Sequence, residues 1–222
     1  MITSARKKEI LRDWKEQFPI LSEYSSTNLY MKLDIALLGL HFDRFSSDEY
    51  RLILTCIPLW GSSNIKALAP IFMIEILDKK KLQLIIPYQL HEYMFPIALE
   101  CVEKQVGFVL KENVLINDIF EICKPIVTNH NPIDLYRLFE FKLALALYFD
   151  DVKLKDNIKI EIEKESKLWE PKRFKSLFEK SIEEWKDDLY RKFENRNTFI
   201  EQLNQNVSDK KISKLKSAHL LF

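Results

Sequence analysis

Glycine is scarce in this chain: Gly39, Gly61 and Gly107 are the only three among 222 residues, and they stand far apart. A loop that cradles phosphate needs clustered glycines so that backbone N–H groups can approach the anion. No nucleotide cradle of that kind can be assembled here, and a strained serine nucleophile elbow is missing as well. Cysteine is equally scarce. Cys56, Cys101 and Cys123 are odd in number, widely spaced and set among apolar residues. They give no disulfide framework and fit three small buried hydrophobes. The four histidines, His41, His91, His130 and His219, lack ligand-like spacing. His91-Glu92 opens like a zinc-protease helix, but Phe95 stands where the second ligand is needed. No metal site, no cofactor and no catalytic group is expected.

Excess charge is lacking too. Charged residues make up 30% of the chain, yet the net charge is +1, so no global pull toward nucleic acid or a membrane surface exists. Residues 153–222 carry net +4 and residues 1–152 net −3. Lys210, Lys211, Lys214 and Lys216 have no accompanying aromatic row, and a solvated face explains them better than a nucleic-acid contact. Long hydrophobic runs are also missing. The most apolar stretch is interrupted by Arg137, Glu140 and Lys142, which excludes a membrane span there. The opening MITSARKKEILRDWKEQF places charges where a signal peptide needs its apolar segment, so a cytoplasmic protein is expected. The Lys-, Ile- and Asn-rich composition suits an AT-rich bacterial genome.

What the chain does have is apolar material, 47% of its residues, enough for one substantial core or two small ones. The chain is organised around Asn131–Asp151. Asn131 is a suitable N-cap, Pro132 fits the first helical position and Asp134 the positive first turn. Leu135, Leu138, Phe139, Phe141, Leu143, Leu145, Leu147 and Phe149 then surround the axis, leaving Asp134, Arg137 and Glu140 as the one polar strip. A helix so apolar belongs inside the fold.

Upstream, Ile10, Leu11, Trp14 and Phe18 share one face of a first helix capped by Thr3 or Ser4 and ended by Pro19. Leu29 to Leu37 then alternate as a strand, with Gly39 marking a bulge before Leu40 and Phe42. Tyr50–Leu59 reads as a second strand, followed by the turn Trp60-Gly61-Ser62-Ser63-Asn64. Ile71–Leu77 and Leu82–Ile86 flank the turn Asp78-Lys79-Lys80-Lys81 as strands three and four. Leu90, Met94, Ile97, Cys101 and Val102 form the apolar stripe of a helix kinked or restarted at Pro96. Val106–Leu110 reads as either a short strand or a loop. Asn117 caps a further helix.

Beyond Asp151 the helices become charged and amphipathic. Ile158, Ile162, Glu165 and Leu168 mark one. Phe174, Phe178, Ile182, Trp185, Leu189 and Phe193 mark a stronger one, and Asn195–Asn206 and Ser208–Ser217 read as shorter helices. The expected fold is α+β: an N-terminal helix, an antiparallel four-stranded meander covered by helices, and a mostly helical C-terminal half. The halves divide as 1–128 and 129–222 near Asn129-His130-Asn131, and they are expected to share one core.

Few residues invite chemistry. Glu75 and Asp78 lie on a strand that ends in Lys79, and one large class of nucleases holds a cation with two acids and a lysine at a strand end. Here Leu77 occupies the position that class reserves for the lysine, and a charged hairpin tip explains the same residues. Lys142 falls among Leu135, Leu138, Phe139, Ala146 and Phe149. It is either a desolvated base or, more simply, a packed stem whose ammonium reaches an acid. Trp60, Trp169 and Phe222 are candidate interface anchors, and the apolar end Ala218–Phe222 must dock on its own core or on a partner.

The expectation is a non-enzymatic intracellular protein that binds another protein. It would be of the immunity-protein or adaptor/chaperone type, occluding a partner's site with acidic residues of the first half set against a basic surface. The alternative is a metal-dependent nucleic-acid hydrolase using Glu75, Asp78 and Lys79, or a nucleic-acid-binding regulator.

Overall fold

The computed structural model describes residues 3–61, 69–128 and 131–222. The Ser62-Ser63-Asn64 portion of the expected turn, the boundary at Asn129-His130, and His130 itself lie outside the described residues. In chain order the elements are α1 (Ser4–Gln17), β1 (Ser22–Ser25), β2 (Asn28–Leu33), β3 (Ala36–Arg44), β4 (Glu49–Pro58), β5 (Phe72–Glu75) and β6 (Ile85–Pro87). Then come α2 (His91–Val106), β7 (Asn113–Leu115), α3 (Ile116–Thr128), α4 (Pro132–Tyr148) and α5 (Val152–Ser166). The last are α6 (Pro171–Phe178), α7 (Ile182–Lys192), α8 (Arg196–Val207) and β8 (Ser217–Leu221). The fold is α+β: an N-terminal helix, an antiparallel meander β2–β5 within a mixed, curled sheet, and a mostly helical C-terminal half. Two compact units form, both discontinuous in sequence. One comprises Met1–Ile57, Met73–Ile122 and Ser208–Phe222, the other Pro58–Phe72 and Cys123–Val207.

In the first unit the strand order is β5-β4-β3-β2-β8-β7, with β1 also on β2 and β6 also on β4. The alternation from Leu29 to Leu37 belongs to two strands, not one. The chain reverses at Asp34-Ile35, where Leu33 pairs with Ala36. Asp34 takes φ 46°, a left-handed conformation that Asp tolerates better than most residues. Gly39 makes no bulge, since Tyr30 faces it in an unbroken register. A Cβ there would lie 2.0 Å from the Leu29 carbonyl oxygen, so glycine is required by close backbone approach.

Ser208–Ser217 was expected as a helix; its residues up to Lys216 form turns instead, and Ser217 begins the strand β8. β8 runs parallel to both β2 and β7, pairing Lys32 with Ser217 and Asn113 with His219. Ala218 and Leu220 are buried, while His219 and Leu221 face out, the period of two that a half-buried strand requires. The Asp34 carboxylate holds it, accepting the Leu220 N–H at 2.7 Å. α1 packs through the fully buried Trp14, whose ring meets Phe42 of β3 and Phe95 of α2.

In the second unit α4 begins as its sequence dictates, with the Asn131 side chain accepting the Ile133 N–H. Ten of its residues are buried, among them Leu135, Leu138, Phe139, Phe141 and Leu143, and α5 and α8 pack along it. The stripe from Phe174 to Phe193 is divided between α6 and α7. Glu179 leaves the helix at φ 58°, and Ser181 with Glu184 forms a capping box that starts α7.

Candidate functional site

α2 is the element whose sequence and environment disagree. Its buried face is His91, Ala98, Cys101, Val102 and Val106, so of the stripe read from Leu90 to Val102 the residues Cys101 and Val102 are core, while Leu90 and Ile97 are not. Leu90, Tyr93 and Ile97 are 51%, 78% and 45% exposed. Leu90 is the N-cap residue just before α2; Tyr93 and Ile97 follow it at steps of three and four, and Glu100 and Lys104 continue the line along the helix. That spacing is the seam with which a helix packs on another helix, here apolar at its N-terminal half and charged at its C-terminal half. Pro96 sits within the helix without ending it.

The charged half of the seam borders an open cleft of about 410 Å³, lined by Asp78, Lys79, Lys81, Glu100, Lys104 and Gln105. Its walls are fixed by two local devices. Asp78 pins the turn: its carboxylate accepts the Lys80 and Leu82 N–H groups at 2.8 and 2.9 Å, and its own N–H donates to the Leu82 carbonyl at 2.7 Å. The Gln105 amide then behaves like a strand neighbour to Leu77, donating to its carbonyl at 2.8 Å and accepting its N–H at 3.0 Å. Turn and helix are thereby tied together at the cleft floor. Glu100 lies between Lys79, at 3.1 Å, and Lys104, at 3.7 Å, and the Lys79 ammonium beside it holds its carboxyl below the usual carboxylate range. Lys81 has no carboxylate partner among the described residues. Cys101, at the cleft's base, is buried, and burial raises its thiol pKa, which leaves it a poor nucleophile.

The other sequence candidates are dispersed. Asp78 and Lys79 line the cleft, but Glu75 does not. It pairs with Arg51 at 3.2 Å, and Arg51 is also held by Asp43 at 2.6 Å. Trp60 and Trp169 are 3% and 5% exposed. Trp60 stacks near Phe141 and Trp169 on Phe174, both inside the second unit. Phe222 is 67% exposed, next to the outward-facing pair Leu221 and Leu115. Lys142 bonds to Glu161, with its side chain 12% exposed. Of the C-terminal lysines, Lys216 donates to the Pro19 carbonyl and Lys211 lies over the Tyr24 ring. Among the described residues no cluster of three or more His, Cys, Asp or Glu could hold a metal ion, and no helix is long and apolar enough to cross a membrane.

One polar network was not foreseen, because its members come from three separate elements. Trp14 of α1 donates to the Tyr50 hydroxyl of β4 at 3.2 Å, Tyr50 meets His91 Nδ1 at 2.8 Å, and His91 Nε2 meets Asp13 at 3.2 Å. It lies behind α2, at the helix's first residue. Comparison with protein-family models, with curated proteins and with solved structures finds no match.

Proposed function

We propose that this is a non-enzymatic, intracellular protein-binding protein of the bacterial immunity-protein or adaptor/chaperone type, acting by covering a site on its partner. The supporting observation is the exposed seam of α2. Tyr93 and Ile97, with Leu90 at the N-cap, stand out at helix-packing spacing on an element whose opposite face is firmly built into the core. Burying one such side chain is worth about 1.5–3 kcal/mol, and a contiguous line of them is what a protein contact exploits. The cleft beside it supplies charge, which sets orientation and suppresses wrong partners.

The test replaces Tyr93 by photoreactive benzoylphenylalanine and irradiates cells that express the chain. Discrete heavier adducts from position 93, absent when the same group replaces exposed Val152, are expected. Equal or no adducts from the two positions would remove the reading.

A further inference from the structure

We infer that the cleft beside the α2 seam selects its partner by acidity: it receives a carboxylate from an acidic, apolar-anchored segment of the partner protein. The inference rests on the docking reading above and adds the chemistry of the occupant. Three lysines converge there, Lys79 and Lys81 from the turn and Lys104 from the helix. Of the two lining acids, Asp78 keeps its charge but is fixed in its own turn, where Lys80 and Leu82 donate to its Oδ1. Three lysines against two acids leave the lining net +1, and Glu100 already shows what the cleft accepts. Its two carboxylate oxygens are divided between Lys79 and Lys104. An incoming carboxylate would take one of these lysines, or Lys81, without displacing any backbone hydrogen bond.

Geometry supplies the rest. Glu100 and Lys104 lie on the same helix line as Leu90, Tyr93 and Ile97. Side chains of a segment along that line would meet apolar contacts first and lysines two turns later. The seam therefore fits a segment with an aromatic or aliphatic anchor followed by Asp or Glu. The sign is the reverse of the acidic surface that the net −3 of residues 1–152 suggests. The Gln105 clamp on Leu77 ties down the backbone from which the turn lysines project, which lowers the backbone part of the ordering cost of a charged contact.

The experiment is selection of displayed random dodecapeptides on the full chain, on a Lys79→Glu, Lys104→Glu variant and on a Tyr93→Asp, Ile97→Asp variant. All four positions are exposed, and unchanged thermal unfolding verifies that each variant is folded. Expected on the wild type are peptides with an apolar anchor and neighbouring Asp or Glu. Roughly three- to tenfold of the acidic enrichment should be lost on charge reversal. Apolar peptides without acidic preference, or acidic enrichment unaltered by charge reversal, would overturn the inference and leave the docking reading standing. If the wild type selects nothing beyond the Tyr93→Asp, Ile97→Asp variant, both fail.

Discussion

Tyr50 and His91 are joined by a 2.8 Å hydrogen bond whose direction is fixed by its neighbours. The Asp13 carboxylate can only accept, so neutral His91 carries its proton at Nε2 and its bare Nδ1 accepts the Tyr50 O–H, while the Tyr50 oxygen accepts from the Trp14 indole N–H. Every group in the chain is used once, and a proton added at Nδ1 would set two donors against each other.

The first prediction concerns acid. Burial lowers the His91 pKa against the opposing pull of Asp13, and burial lowers that of His41 as well. For a folded pKa below the unfolded value near 6.5, the unfolded chain binds the proton more readily. Stability is therefore full above pH 6.5 and falls as pH drops below it. Urea midpoints taken from pH 7.5 to 5.5 should decline, and a His91→Gln variant should flatten the profile without abolishing the His41 contribution. A wild-type midpoint that holds or rises on acidification would contradict this.

Tyr50→Phe removes the central hydroxyl and strands the Trp14 N–H and His91 Nδ1 in the core. A cost of about 1–3 kcal/mol is expected, measured by denaturant unfolding with an unchanged slope.

Gly39→Ala forces a methyl onto the Leu29 carbonyl. A loss of at least about 2 kcal/mol is expected, because backbone rather than a flexible side chain must yield. Gly107→Ala, where the nearest atom would lie 3.6 Å away, should change the midpoint little; similar losses at the two positions would show that Gly39 is not sterically required.

In the second unit, Lys186 is buried between Glu163 and Glu183, at 2.8 Å from each, and Glu163 also accepts the Tyr190 hydroxyl at 3.1 Å. Glu163→Ala leaves a buried ammonium with one exposed partner, whereas Lys186→Met removes the charge and keeps the stem's packing. The glutamate variant should unfold at the lower denaturant concentration of the two.

Much of the architecture was legible because local chemistry and packing agree. Asn131-Pro132 starts α4 where capping rules put it, and the Ile-, Leu- and Thr-rich run from Tyr50 did mark a strand, Glu49–Pro58. Elsewhere the pattern misled for physical reasons. The hairpin at Asp34-Ile35 carries no glycine or asparagine, and its left-handed residue is held by β8, nearly two hundred residues away. β8 itself follows a run of lysines at helical spacing, so Ala218–Leu221 could be recognised as a strand only with Asp34 and β7 beside it. The α6–α7 break was readable, since Ser181-x-x-Glu184 is a helix-start signature, but the continuous apolar spacing concealed it. The cleft was half visible: Asp78–Lys81 was evident as a charged turn, while Gln105, which ties that turn to α2, has no sequence signature. The seam was the hardest to read, because α2 is apolar on two sides and periodicity alone does not say which one is buried.

The central claim is that the outward face of α2 is a contact surface, and quantitative capture tests it most directly. Wild-type chain, the Tyr93→Asp, Ile97→Asp variant and a Val152→Asp control are immobilised and exposed to a lysate of the source cells, and bound proteins are compared by mass spectrometry. At least one protein retained by the wild type and the control but depleted tenfold or so by the α2 variant is predicted, about 1.4 kcal/mol of binding. Identical profiles from all three, with all three folded, would contradict it.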